Sequence, residues 1–257
     1  MRLENSIAIV TGAGSGIGYG FVRELVRAGC RVAASDKDEE KVRALSRELA
    51  GHESSLVTHT LDVSNEASVR SVFTDILGRF GPADILVNNA GVLRDGLLVQ
   101  PESEGVARKL PTAQWRTVLE TNLTGPFLMG REFAASRLES GCGGGLIVNI
   151  SSLTSTGNPG QSNYAAAKAG LDALTRTWAL ELAPYGTRVV GIAPGLTDTP
   201  MAARLDEAAR QAMIEQIPAR RMASVHEIWL GLRFAIECDY FNGRVLAIDG
   251  GAVFGGG

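Results

Sequence analysis

Residues Ser6–Gly18 read SIAIVTGAGSGIG. The first half is a short, mostly apolar run, as in a strand buried on both faces. The second half, TGAGSGIG, sets glycines at 12, 14, 16 and 18. An amphipathic run follows, with Phe21 and Leu25, and Val22 and Val26, spaced i,i+4. The reading is strand, glycine turn, helix. Glycine permits positive φ and close approach of another group to the backbone, and a helix N-terminus offers free N–H groups to an anion. Gly12, Gly16 and Gly18 give G-x-x-x-G-x-G rather than G-x-G-x-x-G, which would need glycine at Ile17 or Tyr19. Alone, such a turn could be a plain tight turn. Between a strand and a helix it favours the pyrophosphate of a nucleotide, held by Gly12, Ser15, Gly16, Ile17 and Gly18.

The same alternation continues outward. Strand candidates lie at 6–11, 31–35, 55–60, 84–89, 145–151, 188–193 and 244–249, with helical runs between them. Val69, Val72, Phe73, Ile76 and Leu77 mark the helix after the third. Strands alternating with helices predict an α/β fold, a doubly wound seven-stranded parallel sheet with helices on both faces and right-handed crossovers. The 257 residues, 45% of them hydrophobic, suffice for one large core, and no linker or repeat divides the chain, so one domain is expected over 1–257. The closing 250–257 reads as a loose tail, preceded by a turn at Asp249-Gly250-Gly251.

A net charge of −3 advertises no basic surface for nucleic acid. Cys30, Cys142 and Cys238 are scattered, which points to a reducing compartment without a disulfide framework. His52, His59 and His226 lack metal-ligand spacing, so no metal is expected. The apolar run near the N-terminus is too short for a signal peptide, and no apolar stretch reaches ~18 residues. A cytoplasmic protein that does not cross a membrane is expected.

Asp36 ends the second strand. A carboxylate there can accept hydrogen bonds from both hydroxyls of an adenosine ribose and would repel a 2′-phosphate. Ser15 stands where an arginine could attract that phosphate. NAD(H) is therefore favoured, with NADP(H) as the alternative that the neighbouring Lys37 supports. Asp38 suits the cap of the next helix better than Asp36 does. Asp62, followed by Val63, can reach an adenine amino group, or can be a turn residue with Ser64 as helix cap.

Tyr164 and Lys168 stand four residues apart in NYAAAK, within a helical run beginning near Ser162, a candidate cap. Residues i and i+4 share a helix face. A free tyrosine, with pKa ~10, is neutral at pH 7. A cation within a few Å can lower that by ~1–3 units, and an oxidised nicotinamide would add a second positive charge. Tyr164 is thus a candidate general acid/base that works best with cofactor bound.

TGAGSGIG, NNAG (88–91), TNLTG with Asn122, NISS with Ser152, YAAAK and PGLTDT (194–199) occur in this order. Together they resemble the short-chain dehydrogenase/reductase family in its compact, single-domain Rossmann branch. The resemblance implies a tetrad. Tyr164 would donate or accept the proton, and Lys168 would lower its pKa and hold the nicotinamide ribose. Ser152, favoured over Ser151, would bond the substrate oxygen, and Asn122 would hold a water linking Lys168 to solvent. It further implies that Asn89, Ala90 and Gly91 lie beside the adenosine ribose, and that Pro194, Gly195, Thr197 and Thr199 border the nicotinamide. The segment at about 195–222 would be a lid over the substrate. A homotetramer is implied, with long helices pairing across one interface and the C-terminal strand near another. The expected activity is hydride transfer between the cofactor and a secondary alcohol or ketone, including 3-hydroxyacyl and 3-oxoacyl compounds.

Two departures stand out. The segment at about 97–110 is longer than the family's common pattern and reads as a surface loop or hairpin near the substrate mouth. The nearest subgroup is the 3-oxoacyl-carrier-protein reductases, which act on an acidic carrier through cations at the entrance. Here GCGGG (141–145) and Tyr185 occupy those places, with Arg188 and Arg221 as candidate substitutes. An NADPH-dependent reductase of that kind is the alternative, and a non-catalytic nucleotide-binding regulator a remote one.

Overall fold

The computed structural model describes residues 1–52, 54–103 and 105–252. From residue 253 onward the expected tail lies outside the described residues. The Asp249-Gly250-Gly251 turn is formed, with Gly251 N donating to Asp249 Oδ1 at 2.8 Å.

The strands are β1 (Ile7–Thr11), β2 (Arg31–Asp36), β3 (Leu56–Thr60), β4 (Ile85–Asn88), β5 (Val99–Ser103), β6 (Val106–Lys109), β7 (Gly145–Ile150), β8 (Thr187–Pro194) and β9 (Val245–Ile248). Seven of them form one sheet in the order β3-β2-β1-β4-β7-β8-β9. Every pairing in it is parallel. Each expected strand lies within two residues of an observed one. The remaining two, β5 and β6, make an antiparallel hairpin, so the 97–110 segment is a hairpin rather than an open loop.

The helices are α1 (Gly16–Arg27), α2 (Glu39–Glu48), α3 (Glu66–Phe80), α4 (Thr112–Leu119), α5 (Gly125–Glu139), α6 (Ser162–Glu181), α7 (Glu207–Gln216) and α8 (Val225–Glu237). A five-residue π-helical turn, Glu120–Thr124, joins α4 to α5. Among the described residues, no helix is long and apolar enough to cross a membrane.

Alternation along the strands sorts the core into two layers. Ala8 and Val10 of β1 face Phe21 and Leu25 of α1 and Trp229 and Leu232 of α8. Ile7 and Ile9 face the opposite layer, with Val69, Phe73 and Ile76 of α3 and Met129 and Phe133 of α5. A sheet covered on both faces needs strands that are apolar throughout, which is what the sequence shows.

The helix starts decide which polar side chains remain for other work. Asp38 caps α2, accepting from Glu40 N and Lys41 N, so Asp36 is not needed there. The cap of α3 is Asn65, which accepts from Ser68 N. Ser64 is not that cap, because its hydroxyl and N–H both bond Asp62 Oδ1. Nor is Ser162 the cap of α6. It is the helix's first residue, and Gln161 precedes it without a side-chain cap bond. Leu77 was expected in the buried stripe of α3 but is 43% exposed, since it lies at the edge of the arc centred on Val69 and Ile76.

Glycines test the packing directly. A Cβ on Gly78 within α3 would meet nothing within 4 Å, whereas one on Gly18 would come within 2.3 Å of Gly12 O. Gly78→Ala should therefore raise stability by about 0.5–1 kcal/mol. Gly18→Ala should lower it by about 1–3 kcal/mol. Urea denaturation of both variants checks the contrast.

Candidate active site

In a doubly wound sheet, ligands bind beyond the C-terminal ends of the strands, where the strand order reverses. Here that point lies between β1 and β4. The glycine turn leaves β1 at this edge. Gly12 and Gly16 have φ of 63° and 58°, which disfavour side chains with a Cβ. A Cβ on Gly12 would come within 2.8 Å of Ala90 Cα, so the β4 end packs against the turn's backbone. Gly16 faces Thr199, whose Cβ lies 3.4 Å from the position of an added Cβ. Ser15 precedes α1 without making a side-chain cap bond. The first N–H groups of α1, at Gly16, Ile17 and Gly18, thus point to the crevice as donors for an anion.

Thr11 organises this junction, a role the sequence reading did not assign. Its hydroxyl oxygen accepts from Asn89 N and Ala90 N, each at 3.0 Å. Asn89 returns its amide to Thr11 O at 2.9 Å and Gly12 O at 3.1 Å. The only visible signal was a threonine directly before the glycine turn.

Asp36 lies at the rim. Its Oδ2 accepts from Gly14 N at 2.9 Å and its Oδ1 from Asp38 N at 3.0 Å. The carboxylate is therefore held against the glycine turn. Lys37 is turned away from it, with Nζ 2.6 Å from Asp62 Oδ2. Asp62 also accepts from Ser64, and its carboxyl is held below its ordinary value: burial acts upward, but the bonds from Lys37 and Ser64 outweigh it. Asp62 thus fills the turn role, with an ion pair added. Val63 beside it is buried, and its Cγ2 lies 2.7 Å from where a Cβ on Gly125 would be.

The candidate reacting face is set by α6 against the end of β7. Lys168 is buried, and its Nζ donates to Ile150 O at 2.6 Å. The same Nζ lies 5.5 Å from the centre of the Tyr164 ring. Ser152 follows the strand end, and its Oγ accepts from Thr154 N at 3.2 Å, capping a short 3-10 turn. The hydroxyl lies close enough to the Tyr164 phenol to draw its pKa downward. Ser151 is buried and donates to Asp172 Oδ1 at 2.5 Å. Of the two serines, Ser152 is the one beside the phenol.

The charges at this face differ from the sequence expectation in direction. Burial pushes the Tyr164 phenol up to about 12; the Ser152 hydroxyl pulls the other way, and Asp95 pushes further up. Lys168 is pulled down to about 8 by burial, against the upward effect of Asp172. Its ammonium is aimed at the Ile150 carbonyl, which limits what it does for the phenol.

Asn122 is fully buried in the π-helical turn. Its Oδ1 accepts from Val92 N at 2.8 Å and its Nδ2 donates to Val92 O at 3.0 Å. The amide ties that turn to the segment after β4. Gly91 lies in this joint, with Asn122 Oδ1 3.5 Å from where its Cβ would be. Beyond β8, Gly195 sits against Asp249, leaving 2.7 Å to the Asp249 Cα for an added Cβ. Thr197 bonds Gly195 O, and Thr199 bonds Thr197 O. Pro194 ends β8, paired with Ile248. The loop from Pro194 to Thr199 thus adjoins the glycine turn.

The residues fit a nicotinamide nucleotide. The crevice joins an uncapped helix N-terminus, glycines that additional Cβ atoms would obstruct, a carboxylate at the rim, a partly buried phenol and a buried ammonium. Among the described residues, no group of three or more His, Cys, Asp or Glu could hold a metal ion.

A family model described as short chain dehydrogenase matches residues 6–210. The 3-oxoacyl-(acyl-carrier-protein) reductase of Thermotoga maritima is 36% identical over 256 residues, covering 98% of this chain and all of the relative. The enzymes of that name from Salmonella typhimurium and Escherichia coli are each 35% identical over 254 residues, with 98% of both chains covered. Fold, glycine turn and matched length agree: the chain belongs to the short-chain dehydrogenase/reductase family and is a nicotinamide-dependent oxidoreductase acting on CH–OH and keto groups.

Proposed function

We propose that the protein is an NAD(H)-linked reductase and dehydrogenase of 3-oxoacyl and 3-hydroxyacyl compounds. The carrying observation is Asp36, whose carboxylate is held on Gly14 N at the rim of the glycine turn. There it meets both ribose hydroxyls of an adenosine and repels a 2′-phosphate. The Lys37–Asp62 pair supports the same preference, because it engages the cation that follows Asp36 in the sequence. The relatives' names support the acyl substrate.

A nicotinamide cofactor, when bound, would supply or accept the hydride. The protein handles the proton. Ser152 donates a hydrogen bond to the substrate carbonyl oxygen, where negative charge develops as the carbon is reduced. Tyr164 donates its phenolic proton to that oxygen. A phenol held at about 12 is fully protonated at neutral pH, and an alkoxide is a far stronger base than a phenolate, so transfer runs downhill. Lys168 stabilises the phenolate that remains, holds the nicotinamide ribose and keeps α6 against β7. Asn122 fixes the turn beside them. In the oxidative direction the phenol must first lose its proton, which burial opposes and neighbouring positive charge assists.

Tyr164→Phe should reduce ketone turnover by about 10²–10⁴-fold while NADH binding persists, since only the acid/base hydroxyl is lost. Retained turnover with a 3-oxoacyl thioester removes the assignment.

A second reading, an NADPH-dependent reductase of carrier-bound substrates, has full-length similarity to the named relatives in its favour. The entrance cations speak against it. Arg188 donates to Ala235 O and Phe241 O, each at 2.9 Å, and is engaged inside the fold. Arg221 is paired with Glu227 at 2.6 Å. Tyr185 is half exposed at the other entrance position. Turnover should be higher with NADH than NADPH, and similar for a coenzyme A thioester and its carrier-bound counterpart. Asp36→Ala should shift the NADH/NADPH ratio of kcat/KM toward NADPH by about tenfold or more. A wild-type preference for NADPH with activity only on the carrier-bound form selects the second reading.

The assembly is proposed to be a cytoplasmic homotetramer, with a lid at about 195–222 that contains α7. Exposed Phe127 and Leu138 on α5 and Leu180 on α6 support pairing of the long helices. Strand β9 leaves an open sheet edge for a second interface. Sedimentation should give about four times the 27.1 kDa chain mass, and a monomer would rule this assembly out.

A further inference from the structure

Tyr164, Lys168 and Asp172 stand at i, i+4 and i+8 on α6, one above another on the same face. The first two belong to the proposed reaction and the third has no place in it so far. Asp172 nevertheless touches the site's frame. Ser151 Oγ donates to Asp172 Oδ1 at 2.5 Å, and Ser151 N donates to Ile192 O at 2.7 Å. Lys168 holds the preceding carbonyl, Ile150 O, and Thr175 accepts from Asn149 at 2.9 Å one turn further along. Three consecutive residues at the end of β7 are therefore bonded to three successive turns of α6. The next residue along the chain is Ser152.

We infer that Asp172 is a positioning residue for the reaction: through Ser151 it fixes the strand end that carries Ser152, and its carboxylate stands one helical turn beyond Lys168 on the same face. The inference rests on the proposed roles of Ser152 and Lys168. The surroundings make Asp172 the relevant charge. Tyr164 is the other titratable group at the ammonium. The strand end holds the ammonium through the neutral Ile150 carbonyl, and the π-helical turn packed against α6 carries the neutral amide of Asn122. Arg116 of α4 and Glu120 of that turn are exposed. Burial draws Lys168 down to about 8 and Asp172 acts upward, so loss of the carboxylate charge lowers the lysine further. The sign is clear: the ammonium would then be lost at a lower pH, and reduction would fail sooner as pH rises.

The two functions of Asp172 can be separated. Asp172→Asn keeps an acceptor for Ser151 and removes the charge, whereas Ser151→Ala keeps the charge and removes the bond. The chain has four lysines, Lys37, Lys41, Lys109 and Lys168, and the first three are exposed. Lysine isotope-labelled at Cε therefore gives few NMR signals, and Lys168→Arg identifies the relevant one. Titration of the protein alone, without cofactor or substrate, should show the Lys168 midpoint falling by about one pH unit in Asp172→Asn. The midpoint should stay in place in Ser151→Ala, while kcat for ketone reduction falls about tenfold from misplacement of Ser152. The alkaline limb of the kcat/KM profile should move down with the midpoint in Asp172→Asn only. An unchanged midpoint in Asp172→Asn overturns the inference, as does an equal shift in Ser151→Ala. Should Asp172→Asn fail to fold, the smaller neutral Asp172→Ser is read the same way. Because the midpoint is measured without turnover, it stands even if the protein reduces none of the ketones offered.

Discussion

The hydrogen bond from Lys168 Nζ to Ile150 O, 2.6 Å long and buried, joins the reacting helix to the sheet. A charged group taken from water needs partners to offset its desolvation. Here the partner is the last carbonyl of a central strand, and the strand is central because β7 lies between β4 and β8. Once that bond exists, Tyr164 lies one turn before Lys168 on the same face, and Ser152 lies two residues beyond Ile150. The glycine turn reaches the same edge of the sheet from β1, with Thr11 and Asn89 holding β1 and β4 in register. A nucleotide laid across that edge would run from Asp36 to Lys168.

Burial drives the phenol and the ammonium in opposite directions. Tyr164 is raised to about 12 and Lys168 lowered to about 8, both toward the neutral form. The resting protein thus offers a protonated phenol suited to delivering a proton to a ketone. A basic phenolate, the state needed for alcohol oxidation, calls for positive charge beyond the lysine. In the proposed reaction the direction of the chemistry would therefore be coupled to cofactor charge: the oxidised nicotinamide, which carries a positive charge, is also the form that accompanies alcohol oxidation.

Much of this was legible in the residues. Apolar runs located the seven strands, since buried strands must be apolar on both faces, and the glycine pattern located the turn. The i,i+4 spacing placed Tyr164 and Lys168 on one face, and Asp38 was recognisable as the cap of α2 in place of Asp36. What was not legible depends on contacts between distant segments. The amide of Asn122 binds Val92, 30 residues away, through a π-helical turn that no local propensity announces. Ser151 and Asp172 meet across 21 residues, although the i+8 position of Asp172 was a signal in plain view. The rise of the Tyr164 pKa escaped because pair spacing shows which charge is near, whereas burial depends on everything packed around it. The choice between Ser64 and Asn65 as the cap of α3 is not legible either, because both have the chemistry for it and the competing bond from Ser64 to Asp62 is visible only in three dimensions.

The coupling of the phenol to positive charge is the central claim, and ultraviolet absorbance of tyrosinate measures it. The chain has four tyrosines, so the Tyr164 signal is the difference between wild type and Tyr164→Phe. The expected midpoint in the free protein is about 12, with a fall of two units or more once NAD⁺ is added. A midpoint that is the same with and without NAD⁺ would contradict the coupling.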